Sequence, residues 1–443
     1  MRAVKDRTEE GRSFLDLLKD RFLDRLSPQL LRSRMMWETV EFLSRSPLNR
    51  TQWKADRISL NFFIRSTRDA YLGRRPVVWC NLLVPSELIH GSGCIPFFPE
   101  MAAAVIASAG LAPRFVDRAA EEGFSTDACS YHRCLLGAAL EDMLPPPHAL
   151  LSVHYPCDSA ILSFRYLSRL YRVPHLVLEA PLPHNPRRTE ILAEGMREAA
   201  LALASLAGKG ERDTREGLAE AIELSNQALA YQLELERLRQ ETDCLLDGKD
   251  VMGYVSVMAA CMGTEDGVKF YRTLLEEVRE RGKPGNGALR LMWMHLKPWY
   301  QQGIFDTVKA HGARVVCEEY THAYWNEMDP HDPFASLAEK VAGHFLVGEA
   351  ERRIRHLLVK AEAYRVQGAI HYNHWGCRQS CGAAQAIRKR FQERGIPVLL
   401  IEGDCVDDRE YQEGQILTRL EAFLESLGER QGKPSGDAGS QKG

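Results

Sequence analysis

The stretch His371-Tyr372-Asn373-His374-Trp375-Gly376-Cys377-Arg378-Gln379-Ser380-Cys381-Gly382 carries two thiols and two imidazoles in one short segment. It follows an apolar run that ends at Ile370 and precedes a helix-like run over 383–394. In an α/β protein this order places the four side chains at the carboxyl end of a strand, where open parallel sheets gather their functional groups. Thiolate and imidazole are ligands for iron–sulfur clusters, zinc and copper. The stretch therefore predicts a strand–loop–helix unit with a metal site at its turn.

Six further short apolar runs have the pattern of strands and alternate with helix-like stretches. Strands that alternate with helices at this spacing are typical of parallel sheets. The chain is therefore predicted to be an α/β protein with two Rossmann- or flavodoxin-like parallel-sheet domains. The predicted strands, including the one before Cys377, lie at 76–80, 149–154, 174–179, 289–294, 313–317, 367–372 and 397–401.

The helix-like stretches divide the chain into regions. A helical N-terminal region (1–70) precedes the first α/β domain (71–190), and a helical segment (191–287) separates it from the second (288–430). The break Arg281-Gly282-Lys283-Pro284-Gly285-Asn286-Gly287 marks the second boundary. The polar tail, 431–443, is expected to be disordered. Two apolar stripes predict amphipathic helices. The first lies over 213–246 and is expected to face the core or a subunit contact. The second is formed by Phe14, Leu17, Leu18, Phe22 and Leu26.

Composition narrows the class of protein. The 443 residues are 45% apolar and 26% charged, with a formal net charge of −3. This balance gives no electrostatic reason to expect nucleic acid or an anionic membrane as a partner. The start of the chain lacks a signal peptide, and no window approaches the length of a membrane span. We therefore expect a cytoplasmic protein, in which the eleven cysteines are not a disulfide framework.

Several cysteines fall at predicted strand ends or in loops. Cys80 closes one strand, Cys157 and Cys377 follow two others, and Cys129 precedes an apolar helix. Thiols gathered in this way can hold an iron–sulfur cluster. Two more extend the set, because Cys134 follows Cys129 by five residues and Cys381 follows Cys377 by four. The alternative is that these cysteines are small buried core residues, as we expect for Cys94, Cys244, Cys261, Cys317 and Cys405.

Other chemistries remain open on the residues alone. His371, His374, Cys377 and Cys381 offer the donors of a tetrahedral zinc site. Thiol catalysis by Cys377 with His374 is also possible. No phosphate-binding glycine loop is present. The acidic residues Glu318, Glu319, Asp404, Asp407 and Asp408 are expected to be solvated loop charges rather than acid–base groups.

Five motifs together resemble the 2-hydroxyacyl-CoA dehydratase and benzoyl-CoA reductase family, over a range from about 76 to 427. The last of them, which begins at Gly395 and ends at Glu425, is the most specific. The motifs are Val84-Pro85-Ser86-Glu87-Leu88-Ile89 with Gly93, Cys129-Ser130-x-x-Arg133 with Gly137, Pro156-Cys157-Asp158, His374-Trp375-Gly376-Cys377, and Gly395-Ile396-Pro397-Val398-Leu399 through Glu402-Gly403-Asp404 to Thr418-Arg419-Leu420-Glu421-Ala422-Phe423-Leu424-Glu425.

The resemblance implies a two-domain α/β subunit of a homodimer or heterodimer. It implies a 4Fe–4S cluster held by Cys129, Cys157 and Cys377, with Cys80 near the fourth iron. It also implies a CoA-ester substrate and a separate ATP-hydrolysing iron–sulfur activator that supplies electrons. His374 and Trp375 are candidate catalytic residues beside Cys377, the first as a hydrogen-bond donor and the second as a ring that excludes water.

The chain departs from the simple family pattern in its extra cysteines. With Cys80, Cys134 and Cys381 the set has six members, which suits the double-cubane branch of the family and a small-molecule substrate. Three functions therefore stand. They are an activator-dependent reductase with an 8Fe–9S double cubane, a dehydratase or benzoyl-CoA reductase subunit with one 4Fe–4S cluster, and a zinc- or cysteine-rich binding protein without redox catalysis.

Overall fold

The computed structural model of the chain describes residues 27–45, 51–241, 245–281, 287–300 and 302–432. The predicted helix carrying Phe14 and Leu17, the residue Cys244, most of the 281–287 break and most of the tail lie outside the described residues. The described part of the N-terminal region is helical. It forms α1 (Pro28–Leu31), α2 (Arg34–Arg45) and α3 (Lys54–Tyr71).

The first sheet contains four parallel strands in the order β2-β1-β3-β4. Strands β1 and β3 are buried along their whole length, as expected for central strands of a sheet with helices on both faces. In chain order the elements are β1 (Val77–Cys80), α4 (Ser86–Gly91), β2 (Ile95–Phe97), α5 (Pro99–Ser108), α6 (Ala112–Glu121), α7 (Ser130–Leu140), β3 (Ala149–Val153), α8 (Asp158–Tyr171) and β4 (His175–Leu178).

A helical segment follows the first sheet, as predicted. The apolar stripe of its long helix is core, because Leu218, Ile222 and Leu229 are buried, although Leu233 is 48% exposed. The helices are α9 (Arg188–Leu206), α10 (Glu211–Glu241), α11 (Gly248–Val251), α12 (Val255–Ala260) and α13 (Glu265–Arg281).

The second sheet repeats the order of the first, as β6-β5-β7-β8. In both sheets the second strand in the chain lies on one side of the first, and the third and fourth lie on its other side. This is the strand arrangement of flavodoxin-like folds. The predicted fold class, with two parallel-sheet units, is confirmed. The elements are β5 (Leu289–Met294), α14 (Ile304–Ala310), β6 (Ala313–Glu318), α15 (Pro333–Gly343), α16 (Ala350–Ala363), β7 (Gly368–His374), α17 (Arg378–Gln392), β8 (Val398–Gly403) and α18 (Glu413–Gly432).

One helix of the second half packs on the first. The buried residues Leu337, Ala338 and Val341 of α15 belong to the same apolar cluster as Leu192 and Met196 of α9. The two halves are thus joined by core packing. Within the described ranges, we find no helix with the length and apolar character that crossing a bilayer requires.

Candidate metal-binding site

A cavity of about 230 Å³ opens where the carboxyl ends of the two sheets face each other. Loops that follow β1, β3, β5 and β7 contribute to its wall, which is the location that open α/β sheets favour for ligands. Three of the predicted cysteines, Cys129, Cys157 and Cys377, line this cavity. They come from both halves of the chain, so the site exists only when the two units are packed together.

Each of these three cysteines is the N-cap residue of a helix. Cys129 precedes α7, Cys157 precedes α8 and Cys377 precedes α17. The N-terminus of a helix carries free N–H groups and a partial positive charge, and both favour a bound anion. The sulfur of Cys157 accepts a hydrogen bond from the Ala160 N–H at 3.4 Å. The local backbone therefore favours the thiolate form of these three cysteines, each at the start of a helix.

Burial opposes ionisation of the same thiols when no metal is bound. It raises the pKa of Cys157 to about 12. It also raises the pKa of Cys377, and it raises that of Cys129 well above the usual range, with a further upward contribution from the other two thiols. The groups are therefore protonated near neutral pH in the metal-free chain. Because metals bind thiolate, loading the site must release protons.

His374 is held in one tautomer by its surroundings. Its Nδ1 accepts the backbone N–H of Cys405 at 3.1 Å, so the ring proton is on Nε2. That atom lies 3.2 Å from the sulfur of Cys129 and can donate to it. Burial lowers the pKa of His374, although the nearby Asp404 acts in the opposite direction. His374 can therefore donate a hydrogen bond, and its partner is Cys129 and not its sequence neighbour Cys377. Its catalytic role stays a prediction.

His132 makes a similar contact that sequence analysis missed. Its Nε2 lies 3.6 Å from the sulfur of Cys157, and burial lowers its pKa to about 4. Its Nδ1 is buried and has no partner among the described residues. The available signal was helical spacing, because His132 follows Cys129 by three residues and thus shares its face of α7.

Gly376 sets the distance between the two halves of the site. It has φ of +70°, and a Cβ there would lie 2.6 Å from the Cys129 nitrogen and 2.7 Å from its Cα. Another buried contact across the halves is Ser130 Oγ donating to Asp404 Oδ1 at 2.5 Å. Asp404 also accepts the N–H of Val406 at 2.7 Å, which fixes the loop after β8.

The other predicted ligands do not line the cavity. Cys80 is fully buried at the end of β1 and donates to the Phe97 carbonyl oxygen at 3.6 Å. Cys134 is fully buried within α7. Cys381 is exposed in the first turn of α17, and its sulfur donates to the His374 carbonyl at 3.4 Å. Their assignment as cluster ligands stays a prediction.

Trp375 does not contribute to the cavity wall either. Its side chain is 42% exposed, so it does not occupy the position expected of a ring that excludes water from the site. Cys405 behaves differently from what the sequence suggested. It is buried, as are Cys94, Cys261 and Cys317, but it also lies within 4.0 Å of His295 Nδ1, and its N–H orients His374. Its position just after β8 was the missed signal.

The expectation of solvated acids was wrong at four of the five positions. Glu318, Glu319, Asp404 and Asp407 are buried, and only Asp408 is exposed. The glutamates are buried because each meets an arginine. Arg239 pairs with Glu318 at 2.6 Å and Arg353 with Glu319 at 2.5 Å. Burial by itself would raise the pKa of Glu319, but the Arg353 guanidinium holds it below its usual value.

The donor set fits a cluster better than a single ion. Among the described ranges, no three His, Cys, Asp or Glu side chains converge as ligands of one metal ion, and this includes the proposed zinc quartet. Cys129, Cys157 and Cys377 nevertheless share one cavity. Thiols are the ligand type of iron–sulfur clusters, and three of them around one cavity suit such a group better than a single ion.

Comparison with known proteins agrees with the motifs. A sequence model of the family described as 2-hydroxyglutaryl-CoA dehydratase, D-component, matches residues 81–427. The chain is 22% identical over 370 residues to the (R)-phenyllactyl-CoA dehydratase alpha subunit of Clostridium sporogenes, an alignment that covers 79% of this chain and 89% of that protein. It is 22% identical over 375 residues to the (R)-2-hydroxyisocaproyl-CoA dehydratase alpha subunit of Clostridioides difficile, covering 80% and 91%. It is 23% identical over 350 residues to one of the subunits of the benzoyl-CoA reductase of Thauera aromatica, covering 70% and 79%.

Proposed function

This chain belongs to the family of the 2-hydroxyglutaryl-CoA dehydratase D-component, and we propose that it is the cluster-holding subunit of a dehydratase that acts on a 2-hydroxyacyl-CoA ester. The proposal adopts the second of the three functions drawn from the sequence. The single observation that carries it is the set of three N-cap thiols, Cys129, Cys157 and Cys377, around one buried cavity.

The residues of the site suit a 4Fe–4S cluster with three protein ligands. When bound, such a cluster supplies an electron and one iron with an open coordination position. The chain holds the thiolates at helix starts, His374 can donate its Nε2–H toward the Cys129 sulfur, and His132 can do so toward Cys157 in its Nε2–H tautomer. The nearly complete burial of Cys129 keeps bulk water from that ligand.

The net reaction is redox-neutral. The C–O bond at carbon 2 and one C–H bond at carbon 3 break, a C=C bond forms between these carbons, and hydroxyl and proton leave as water. An electron that starts the turnover is therefore returned and not consumed. The chain has no phosphate-binding loop, so we assign ATP hydrolysis to a separate iron–sulfur activator. A second, related subunit completes the proposed enzyme.

Iron and acid-labile sulfide per chain, measured after anaerobic purification, test the cofactor. We expect about four irons and four sulfides, with a large loss in Cys129→Ala, Cys157→Ala and Cys377→Ala. Cys261→Ala is the matched control, because Cys261 is also buried but lies outside the cavity wall. Zinc without sulfide would contradict the proposal.

The same measurement decides between one cubane and two. About eight irons, falling in Cys134→Ala and Cys381→Ala, would replace the proposal with the double-cubane reductase. Formation of an unsaturated acyl-CoA, dependent on ATP and on an added activator, then tests the reaction itself. Consumption of reductant in proportion to product would indicate a reductase in place of a dehydratase.

A further inference from the structure

A second wall of the cavity consists mainly of apolar side chains from outside the thiol-bearing loops. Val255 and Met258 of α12 contribute to it, together with Leu82, Leu83 and Trp325. We call this wall the acyl wall. Leu82 and Leu83 precede the three thiols in the chain, and Val255, Met258 and Trp325 lie between Cys157 and Cys377. The wall is therefore formed by the packing of separate elements and is not the surface of one loop.

The polar groups beside the acyl wall are largely used within the protein. The Asn81 side chain accepts the N–H of Val153 and donates to its carbonyl, both at 3.1 Å. Ser86 Oγ donates to the Met262 carbonyl at 2.9 Å. These groups are already satisfied and offer little to a charged ligand.

Lys340 is the one buried lysine or arginine among the described residues that line the cavity, and a carboxylate outside the lining pairs with it. Lys340 is 4% exposed, and its Nζ donates to Glu87 Oε1 at 2.6 Å and lies 4.1 Å from the centre of the Trp325 ring. Glu87 is fully buried and outside the cavity lining. Burial would raise the pKa of Glu87, but Lys340 holds it below its usual value, so Glu87 stands as a carboxylate beside the Lys340 Nζ.

The remaining described lining residues add no buried lysine or arginine, and Glu100 adds a buried carboxyl whose Oε2 has no partner among the described residues. The Trp325 indole N–H has no partner among the described residues, but it is a neutral donor. Arg378 also lines the cavity, yet its side chain is 59% exposed and pairs with Asp158 at 2.5 Å. A carboxylate against the acyl wall would thus lose its water without gaining a counter-charge.

Size limits what the cavity can take. Pockets that enclose a whole drug-sized ligand measure roughly 300–1,000 Å³. The volume here is about 230 Å³. Part of this volume belongs to the cluster proposed at the thiols, so the rest has room only for the reacting end of a thioester, and the nucleotide part of CoA lies outside.

From these observations we infer that the acyl wall binds the substrate's side chain and selects an uncharged aliphatic or aromatic acyl group over one that ends in a carboxylate. The inference rests on the proposed function, because it assumes a CoA ester at the thiol-lined site. It specifies the substrate class of that site.

Binding of three CoA esters to the anaerobically purified holoprotein, measured by calorimetry without electron donor, tests the inference. We expect phenyllactyl-CoA and hydroxyisocaproyl-CoA to bind at least about 10-fold more tightly than hydroxyglutaryl-CoA. Equal or tighter binding of hydroxyglutaryl-CoA would overturn the inference and leave the proposed function standing. Failure of all three esters to bind would overturn both.

Two variants examine the origin of the preference. Glu87→Gln removes the counter-charge of Lys340. The affinity for hydroxyglutaryl-CoA should therefore rise about 10-fold relative to the affinity for phenyllactyl-CoA. An uncompensated buried ammonium can prevent folding. Met258→Ala therefore provides a second test of the acyl wall that leaves Lys340 and Glu87 unchanged. It should weaken the binding of phenyllactyl-CoA about 10-fold. Met35→Ala is the control and should leave the binding unchanged, because Met35 is 73% exposed. Unchanged binding in Met258→Ala would overturn the assignment of the wall.

Discussion

At the scale of single residues, the contact between His374 and Cys129 makes a prediction about redox potential. Replacing His374 by Asn keeps an acceptor for the Cys405 N–H but removes the Nε2 donor, which lies 3.2 Å from the Cys129 sulfur. Hydrogen bonds to sulfur stabilise the reduced cluster. We expect the potential to fall on the order of 50 mV, equivalent to about 1 kcal/mol for one electron.

The potential is measured by a spectroscopic redox titration of the loaded protein. His331→Asn serves as the control, because His331 is exposed and is not among the residues that line the cavity. A normal iron content with an unchanged potential in His374→Asn would show that the contact does not tune the cluster. Loss of iron would instead assign His374 a role in holding Cys129 in place.

At the scale of elements, the turn between β7 and α17 tolerates only glycine at position 376. Gly376→Ala requires a residue with a side chain at φ +70° and places a Cβ against the Cys129 backbone. The left-handed conformation by itself costs roughly 1–2 kcal/mol. We expect lower stability and a large loss of iron, because Cys377 moves away from Cys129.

Gly382 in α17 offers the matched substitution. A Cβ there meets nothing within 4 Å, and Ala in place of Gly stabilises a helix interior by roughly 0.5–1 kcal/mol. Gly382→Ala should therefore keep its iron and gain slightly in denaturant resistance. Similar iron contents in the two alanine variants would contradict the role of Gly376.

The end of α15 predicts an acid-sensitive step in stability. His344 is its C-cap residue, is 5% exposed, and accepts the Leu346 N–H at 3.1 Å. Burial lowers its pKa to about 3. Below about pH 6.5 the unfolded chain binds a proton that the folded chain does not, so stability falls as the pH drops toward 3, by at most about 5 kcal/mol.

His344→Asn keeps the acceptor and removes the titration. We expect its free energy of unfolding, from denaturant curves between about pH 7 and pH 4, to decline less steeply than that of the unsubstituted protein. His331→Asn should not change the slope, because His331 is exposed. Parallel pH profiles for the unsubstituted protein and His344→Asn would refute the assignment.

Strands and their ends were the most predictable elements. Buried parallel strands appear as short apolar runs, so the strand leading to Cys377 and the loop after it could be located from the sequence. Cys405 and His132 were missed because their roles depend on tertiary contacts with residues far away in the sequence, His374 at 31 positions and Cys157 at 25. Burial of Glu319 was missed for the same reason, since its partner Arg353 lies 34 residues away.

At the scale of the whole molecule, the two sheets place equivalent residues opposite each other. Cys157 follows the third strand of the first sheet and begins a helix, and Cys377 does the same in the second sheet. The shared strand order explains why two of the three thiols converge. It does not explain Cys129, which precedes α7 and reaches the site because Gly376 packs against it.

The same architecture predicts that neither half folds alone. A cut after 284 separates Arg239 from Glu318, and it separates Lys340 from Glu87; each pair is buried and 2.6 Å apart. Leaving one member of a buried pair unpaired costs roughly 3–5 kcal/mol, and the cut also removes α15 from its apolar contact with α9. Fragments 1–284 and 285–443 should aggregate when expressed singly and form a 1:1 complex on size-exclusion chromatography when co-expressed. A monomeric 285–443 fragment with cooperative unfolding would show instead that the second sheet is an independent domain, with the site assembled only after folding.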